Sequence, residues 1–216
     1  MKTNNWSLQT KFLHIGLVLT VSAQLLISLV MTAPDDTGNA VSRAAFEMHE
    51  IVGLTALAIV LLHWGWTLFS HADGGLENLF PVSQQARQDL IDDVKGLKKG
   101  KLPETGKKGG LIGLVHGLGL LAVTGIAVTG GALFILFPET GEPGAMAEAF
   151  AEVHEGFATL VWTYWIGHGG MAIMHHLNGE ELLKSMFTLK HEKLIDPLAK
   201  DEHLVTQHAS IHPHKK

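Results

Sequence analysis

LIGLVHGLGLLAVTGIAVTGGALFILF, residues 111–137, is the stretch that decides the fold. It holds 27 residues and no charged side chain. At about 1.5 Å per residue a helix of this length reaches about 40 Å, more than the roughly 30 Å of a bilayer's hydrocarbon core. A helix on the surface of a soluble bundle keeps a polar stripe, and neither this run nor Ile15 to Val30 has one. Three further nearly charge-free runs, Phe12 to Thr32, Phe46 to Phe69 and Val153 to Met174, bring the expected spans to four.

The basic residues set the orientation. Lys2 and Lys11 precede the first run, seven Lys and Arg lie between His71 and Gly110, and six Lys follow Met174. That leaves Arg43 alone in the two other connections, beside Asp35, Asp36, Glu139, Glu142, Glu148 and Glu152. The positive-inside bias then puts both termini in the cytoplasm and the acidic loops outside, which needs an even number of spans. The expected fold is all-α, an integral membrane four-helix bundle with cytoplasmic N and C termini. A cleaved signal peptide at the first run would leave three spans, and the loop charges would alternate wrongly.

The whole chain has 216 residues, 46% of them apolar, and a net charge of -5, an average over parts of opposite character. The absence of Cys excludes disulfides, thiolate-bound zinc, iron-sulfur clusters and haem attached through CxxCH. In the long basic loop Ser83 is placed to cap a helix running to about Lys99 and closed by Gly100, with Leu90, Ile91, Val94 and Leu97 along one side. This helix is expected to lie on the membrane surface. Residues 1–190 form the expected membrane domain, and 191–216 a polar cytoplasmic tail without order.

Histidine carries the chemistry. His14, His49, His63, His116, His154 and His168 fall within the apolar runs, where ionisable groups are costly and mark function. The two halves of the chain repeat this pattern. His14 and His116 open the odd spans, His49-Glu50 and His154-Glu155 open the even ones, and His63 and His168 follow 14 residues later. Fourteen residues is close to four turns, so each even span offers two stacked imidazoles on one face, about 21 Å apart along the axis. Two b-type haems, each between imidazoles from facing helices, satisfy this pattern. His49 with His154 is the one solution at the outer level. Inside, His14, His63, His116 and His168 compete for two places, and spacing favours His63 with His168.

Gly53, one turn from His49, and Gly167, Gly169 and Gly170 around His168 leave room for a flat macrocycle. A His-lined path for zinc or another transition metal is the competing site, but Glu47, Glu50 and Glu155 reach only the outer margin. HExxH, GxSxG and phosphate-loop motifs are absent, and nothing indicates nucleic acid.

VHEGFATLVWTYWIGHGGMAIMHHL, residues 153–177, resembles the last helix of the bacterial cytochrome b561 family, which includes the b-type subunits of nickel-iron hydrogenases. The shared pattern is His154-Glu155, His168 and His175-His176, and the likeness extends from about Lys11 to His176. The resemblance implies His14 with His168 as axial ligands of an inner haem b and His49 with His154 for an outer one. It implies that His63 stands where the family often has Arg, so His63 stays an alternative inner ligand, and that His116 lies near a haem propionate or a quinone. It also implies a multi-pass protein of the bacterial inner membrane, in contact with lipid, moving electrons between the quinone pool and a soluble or membrane redox partner. A superoxide:quinone oxidoreductase, an anchor subunit of a larger oxidoreductase and a His-lined metal carrier remain alternatives. Whether the chain is an enzyme proper and how it oligomerises stay open.

Overall fold

The computed structural model describes residues 6–32, 38–70, 73, 75–101, 103, 109–137, 142–179 and 186–187. The expected tail, 191–216, lies outside the described residues. Among the described residues there are six helices: α1 (Leu8–Ile27), α2 (Ala40–Phe69), α3 (Leu76–Leu79), α4 (Gln84–Lys98), α5 (Gly110–Leu136) and α6 (Ala145–Leu177). Among the described residues there is no strand.

The helices begin earlier than the apolar runs because capping residues, not hydropathy, set their ends. The hydroxyl of Ser7 accepts from the backbone N–H of Thr10 and starts α1, and the carboxamide of Asn39 accepts from those of Val41 and Ser42 and starts α2. Both are standard ways to satisfy the orphan donors of a first turn. The expected second run at Phe46 is therefore preceded by a polar turn and a half carrying Arg43. Likewise α6 starts at Ala145, before Val153, and carries Glu148, Glu152 and Glu155 in its first three turns. Ser83 caps α4 through Ala86 N–H at 3.1 Å, and Gly100 follows at φ +71. A left-handed residue there suits glycine alone.

Three helices, α1, α2 and α5, are long and apolar enough to cross a membrane. α6 has the length, at 33 residues, but its glutamates, histidines and glycines make it less apolar than the fourth expected span requires.

α1 runs antiparallel to α2. Thr32 donates to Ser42 at one end of the pair, and Trp66 Nε1 donates to Thr10 at the other, both at 3.0 Å. α2 lies along α5, joined by Trp64 Nε1 to Thr124 Oγ1 at 2.8 Å. α5 is antiparallel to α6 through a row of glycines. Gly119 seats the ring of Tyr164, Gly125 that of Phe157 and Gly130 that of His154, and a Cβ at either of the first two would collide with the ring. α6 reaches α1 by a side chain, Trp165 Nε1 donating to Ser22 Oγ at 2.9 Å. The shared core is small: Leu25, Val60, Leu120, Val123, Ala127 and Val161, with Val60 and Val161 fully buried.

Outside it, large apolar side chains such as Leu19, Ile51, Leu62, Ile135 and Ile166 are more than half exposed. Water would penalise that surface by about 25 cal/mol per Å², whereas lipid tails match it. The exposed apolar belt and the small core are two sides of one composition, and they identify the solvent of α1, α2 and α5 as a bilayer.

At the end of α1 opposite Thr32, Asp73 forms a clasp. Its carboxylate accepts from the backbone N–H of Ser7 at 3.0 Å and from the hydroxyls of Ser7 and Thr10 at 2.5 Å each. Asn78 donates to its carbonyl oxygen. Burial pushes the Asp73 carboxyl up, but the hydrogen bonds from Ser7 and Thr10 outweigh it and hold the group below its ordinary value.

Candidate functional site

Six of the histidines come from four long helices: His14 on α1, His49 and His63 on α2, His116 on α5, and His154 and His168 on α6. At one level the rings of His49 on α2 and His154 on α6 stand edge to face, centroids 6.3 Å apart and planes 82° apart. Fourteen residues along, the ring of His168 stands 6.4 Å from that of His14. His63 is engaged on its own helix, its Nδ1 3.3 Å from the hydroxyl of Thr67. The α1 imidazole thus lies opposite His168.

His168 has a crowded surround. The ring of His116 meets it edge-on at 4.9 Å, and Tyr164, one turn earlier on α6, stacks on it at 5.1 Å with planes 12° apart. On its far side His14 touches the ring of Phe187 at 6.5 Å. Tyr164 is itself held in the notch of Gly119, so the orientation of His168 is set from α5 as well as from α6.

Hydrogen bonds fix the protons on two of these rings. The hydroxyl of Thr129 lies 2.8 Å from the carbonyl oxygen of Gly125, 3.0 Å from that of Ile126 and 2.9 Å from Nδ1 of His154. Its one hydrogen goes to a carbonyl, so it accepts from His154, and Nδ1 of that ring carries the proton. Nε2 of His154 is left with a lone pair. In the same way Nδ1 of His116 donates to the carbonyl oxygen of Ile112 at 2.8 Å, because a carbonyl only accepts. Nδ1 of His14 and Nδ1 of His49 are buried with no partner.

The space at Gly53 is filled by the carboxamide of Gln24, whereas Gly167, Gly169 and Gly170 have open space where a Cβ would stand. The ends of α2 and α6 next to the His49 level are acidic, with Glu47, Glu148, Glu152 and Glu155 exposed and only Arg43 of opposite sign on those helices there. Among the described residues no three His, Asp or Glu side chains gather in a way that would hold a metal ion.

Gln24, Thr129 and Tyr164 escape the sequence reading. Gln and Thr are unremarkable in a membrane helix, and only their contacts across helices give them a role. One signal was present: Tyr164 is the only tyrosine of the chain and lies one turn from His168.

Apolar helices of membrane-crossing length, packed with a further helix so that imidazoles from different helices meet in pairs, define a membrane protein with histidines between its helices. The chain belongs to the prokaryotic cytochrome b561 family, whose model matches residues 5–189. It is thus a b-type membrane cytochrome, of a family that binds haem b and transfers electrons. No curated protein and no solved structure matches the chain.

Proposed function

We propose that this chain is a dihaem cytochrome b that carries electrons across the bacterial inner membrane between the quinone pool and a redox partner. In this reading α6 is the fourth span, both termini are cytoplasmic, His49 and His154 would hold the outer haem, and His14 and His168 the inner one. The observation that carries it is the pair of ring separations. A ring nitrogen lies about 1.1 Å from its centroid and binds a metal at about 2.0 Å, so two imidazoles holding one metal between them would put their centroids about 6.2 Å apart. The two pairs stand at 6.3 and 6.4 Å. The His116 to His168 separation of 4.9 Å is too short for that arrangement.

The donor chemistry agrees. With its proton on Nδ1, His154 has a free Nε2 lone pair, the form in which imidazole ligates. When bound, haem b supplies reversible one-electron exchange at iron. The protein's own part is to hold four imidazoles at two levels about 21 Å apart along the helices, in surroundings that exclude competing ligands. His116, whose ring stands too close to that of His168 to share a metal with it, and His63 then serve as neighbours of the inner haem rather than ligands. Membrane lipid covers the apolar belt. The acidic outer ends favour a cationic or protein partner over an anionic substrate such as superoxide.

The haem content of purified protein tests this. Two low-spin haems b per chain are expected in the wild type, one in His14→Ala and two in His63→Ala. One haem in His63→Ala with two in His14→Ala would overturn the inner assignment, and a wild type without six-coordinate haem would overturn the whole.

A further inference from the structure

Gln24 lies on α1, but its carboxamide belongs to α2. Nε2 donates to the carbonyl oxygen of His49 at 2.8 Å, and the group lies over Gly53, where a Cβ would come within 2.5 Å of that nitrogen. A side chain at position 53 would evict it. The other end of the carboxamide, Oε1, is buried without a partner, and so is Nδ1 of His49. Buried polar groups are rarely left unpaired, and these two are complementary: an amide oxygen only accepts, and an imidazole nitrogen that carries the proton donates.

The second half of the chain has the completed version. A shift of 105 residues carries Gln24, His49 and His63 onto Thr129, His154 and His168. Thr129 precedes His154 by 25 residues, as Gln24 precedes His49, and each reaches its histidine from the preceding long helix. Thr129 accepts the Nδ1 proton of His154. Gln24 is its counterpart at the same level of the membrane, and it is already bonded to the residue whose ring nitrogen lacks an acceptor.

We infer that Gln24 is the positioning residue of His49. Its Oε1 accepts the Nδ1 proton of that ring, which leaves Nε2 as the nitrogen offered toward His154. The inference rests on the axial pairing of His49 with His154 proposed above. An acceptor on Nδ1–H makes Nε2 a better electron donor and stabilises the oxidised iron, so removing the acceptor raises the potential of that haem alone. A glutamate at position 24 keeps an acceptor oxygen whether or not it is ionised.

Redox titration of the purified holoprotein reads this, with the outer haem identified as the one lost in His49→Ala. Gln24→Leu is expected to raise the outer potential, Gln24→Glu to leave it at or below the wild-type value, and neither to move the inner haem. An outer potential that rises in both variants, as loss of helix packing alone would produce, overturns the inference, as does one that Gln24→Leu leaves unchanged. If Gln24→Leu does not assemble, Gln24→Met gives the same comparison. Electron–nuclear double resonance on the wild type needs no variant: both outer ligands should show a hydrogen-bonded Nδ1 proton, and a free one on His49 would overturn the inference. These outcomes leave the axial pairing standing, whereas a wild type lacking two bis-imidazole haems removes both.

Discussion

The two histidine levels are built differently. At the outer level two imidazoles stand alone, His49 and His154, each with its neighbouring group on the preceding long helix, Gln24 or Thr129. At the inner level four histidines share the height, and His168 alone touches the rings of His14, His116 and Tyr164. The outer level has no spare, while the inner one has an excess. The ring of His14 stands 6.4 Å from that of His168 and the ring of His116 only 4.9 Å. In the proposed reading ring separation, not the supply of imidazoles, selects the pair.

The largest expected effect follows directly. His49→Ala and His154→Ala should each remove one of the two haems completely, measured as haem per chain, since no other imidazole lies at that level. His116→Ala should leave the count at two and alter only the spectrum of the inner haem. A partial loss in the outer variants would break the contrast between a level with no substitute and one with several.

A smaller effect sharpens the account of the inner level. Tyr164 stacks on His168 because Gly119 leaves a notch for its ring, and a methyl group there would collide with it. Overpacking of this kind costs about 1–3 kcal/mol. Gly119→Ala should therefore lower the thermal midpoint of the purified protein and release the inner haem before the outer one on heating. Gly144→Ala, where nothing lies within 4 Å of an added Cβ, is the control and should leave both unchanged.

These contrasts mark what the residues alone could tell. Charge-free runs identified α1, α2 and α5, because lipid tolerates no charge on any face of a helix. The ends were displaced, since Ser7 and Asn39 cap helices in water, where hydropathy is silent. The run Val153 to Met174 marked α6 too, but the helix starts at Ala145 and is less apolar than the other three. In the proposed pairing the His49 and His154 level follows from spacing alone, because it holds one histidine per helix. The other level does not, because His14, His63, His116 and His168 compete there and ring separations leave no trace in spacing. The same blindness hid Gln24: a carboxamide that crosses to another helix looks, in sequence, like any polar residue in an apolar run.

Acid supplies the smallest effect, and it too should separate the levels. The clasp of Asp73 on Ser7 and Thr10 holds the start of α1, one turn before His14, whereas the outer end of α1 is joined to α2 by the neutral pair Thr32 and Ser42. The Asp73 carboxyl is held below its ordinary value of 3.8. Its contribution is therefore fully present above that value and is lost as pH falls through the lowered native one. The group is partly exposed, so the contribution is about 1 kcal/mol at neutral pH. Asp73→Asn keeps the shape and removes the charge. At neutral pH it should lower the thermal midpoint slightly and loosen the inner haem, read as its rate of transfer to an apoprotein acceptor, while the outer haem is retained as in the wild type. As pH falls through that lowered native value the difference between variant and wild type should shrink, because the wild-type carboxylate takes up its proton. A difference that persists unchanged into acid would mean that the clasp holds α1 by packing rather than by charge.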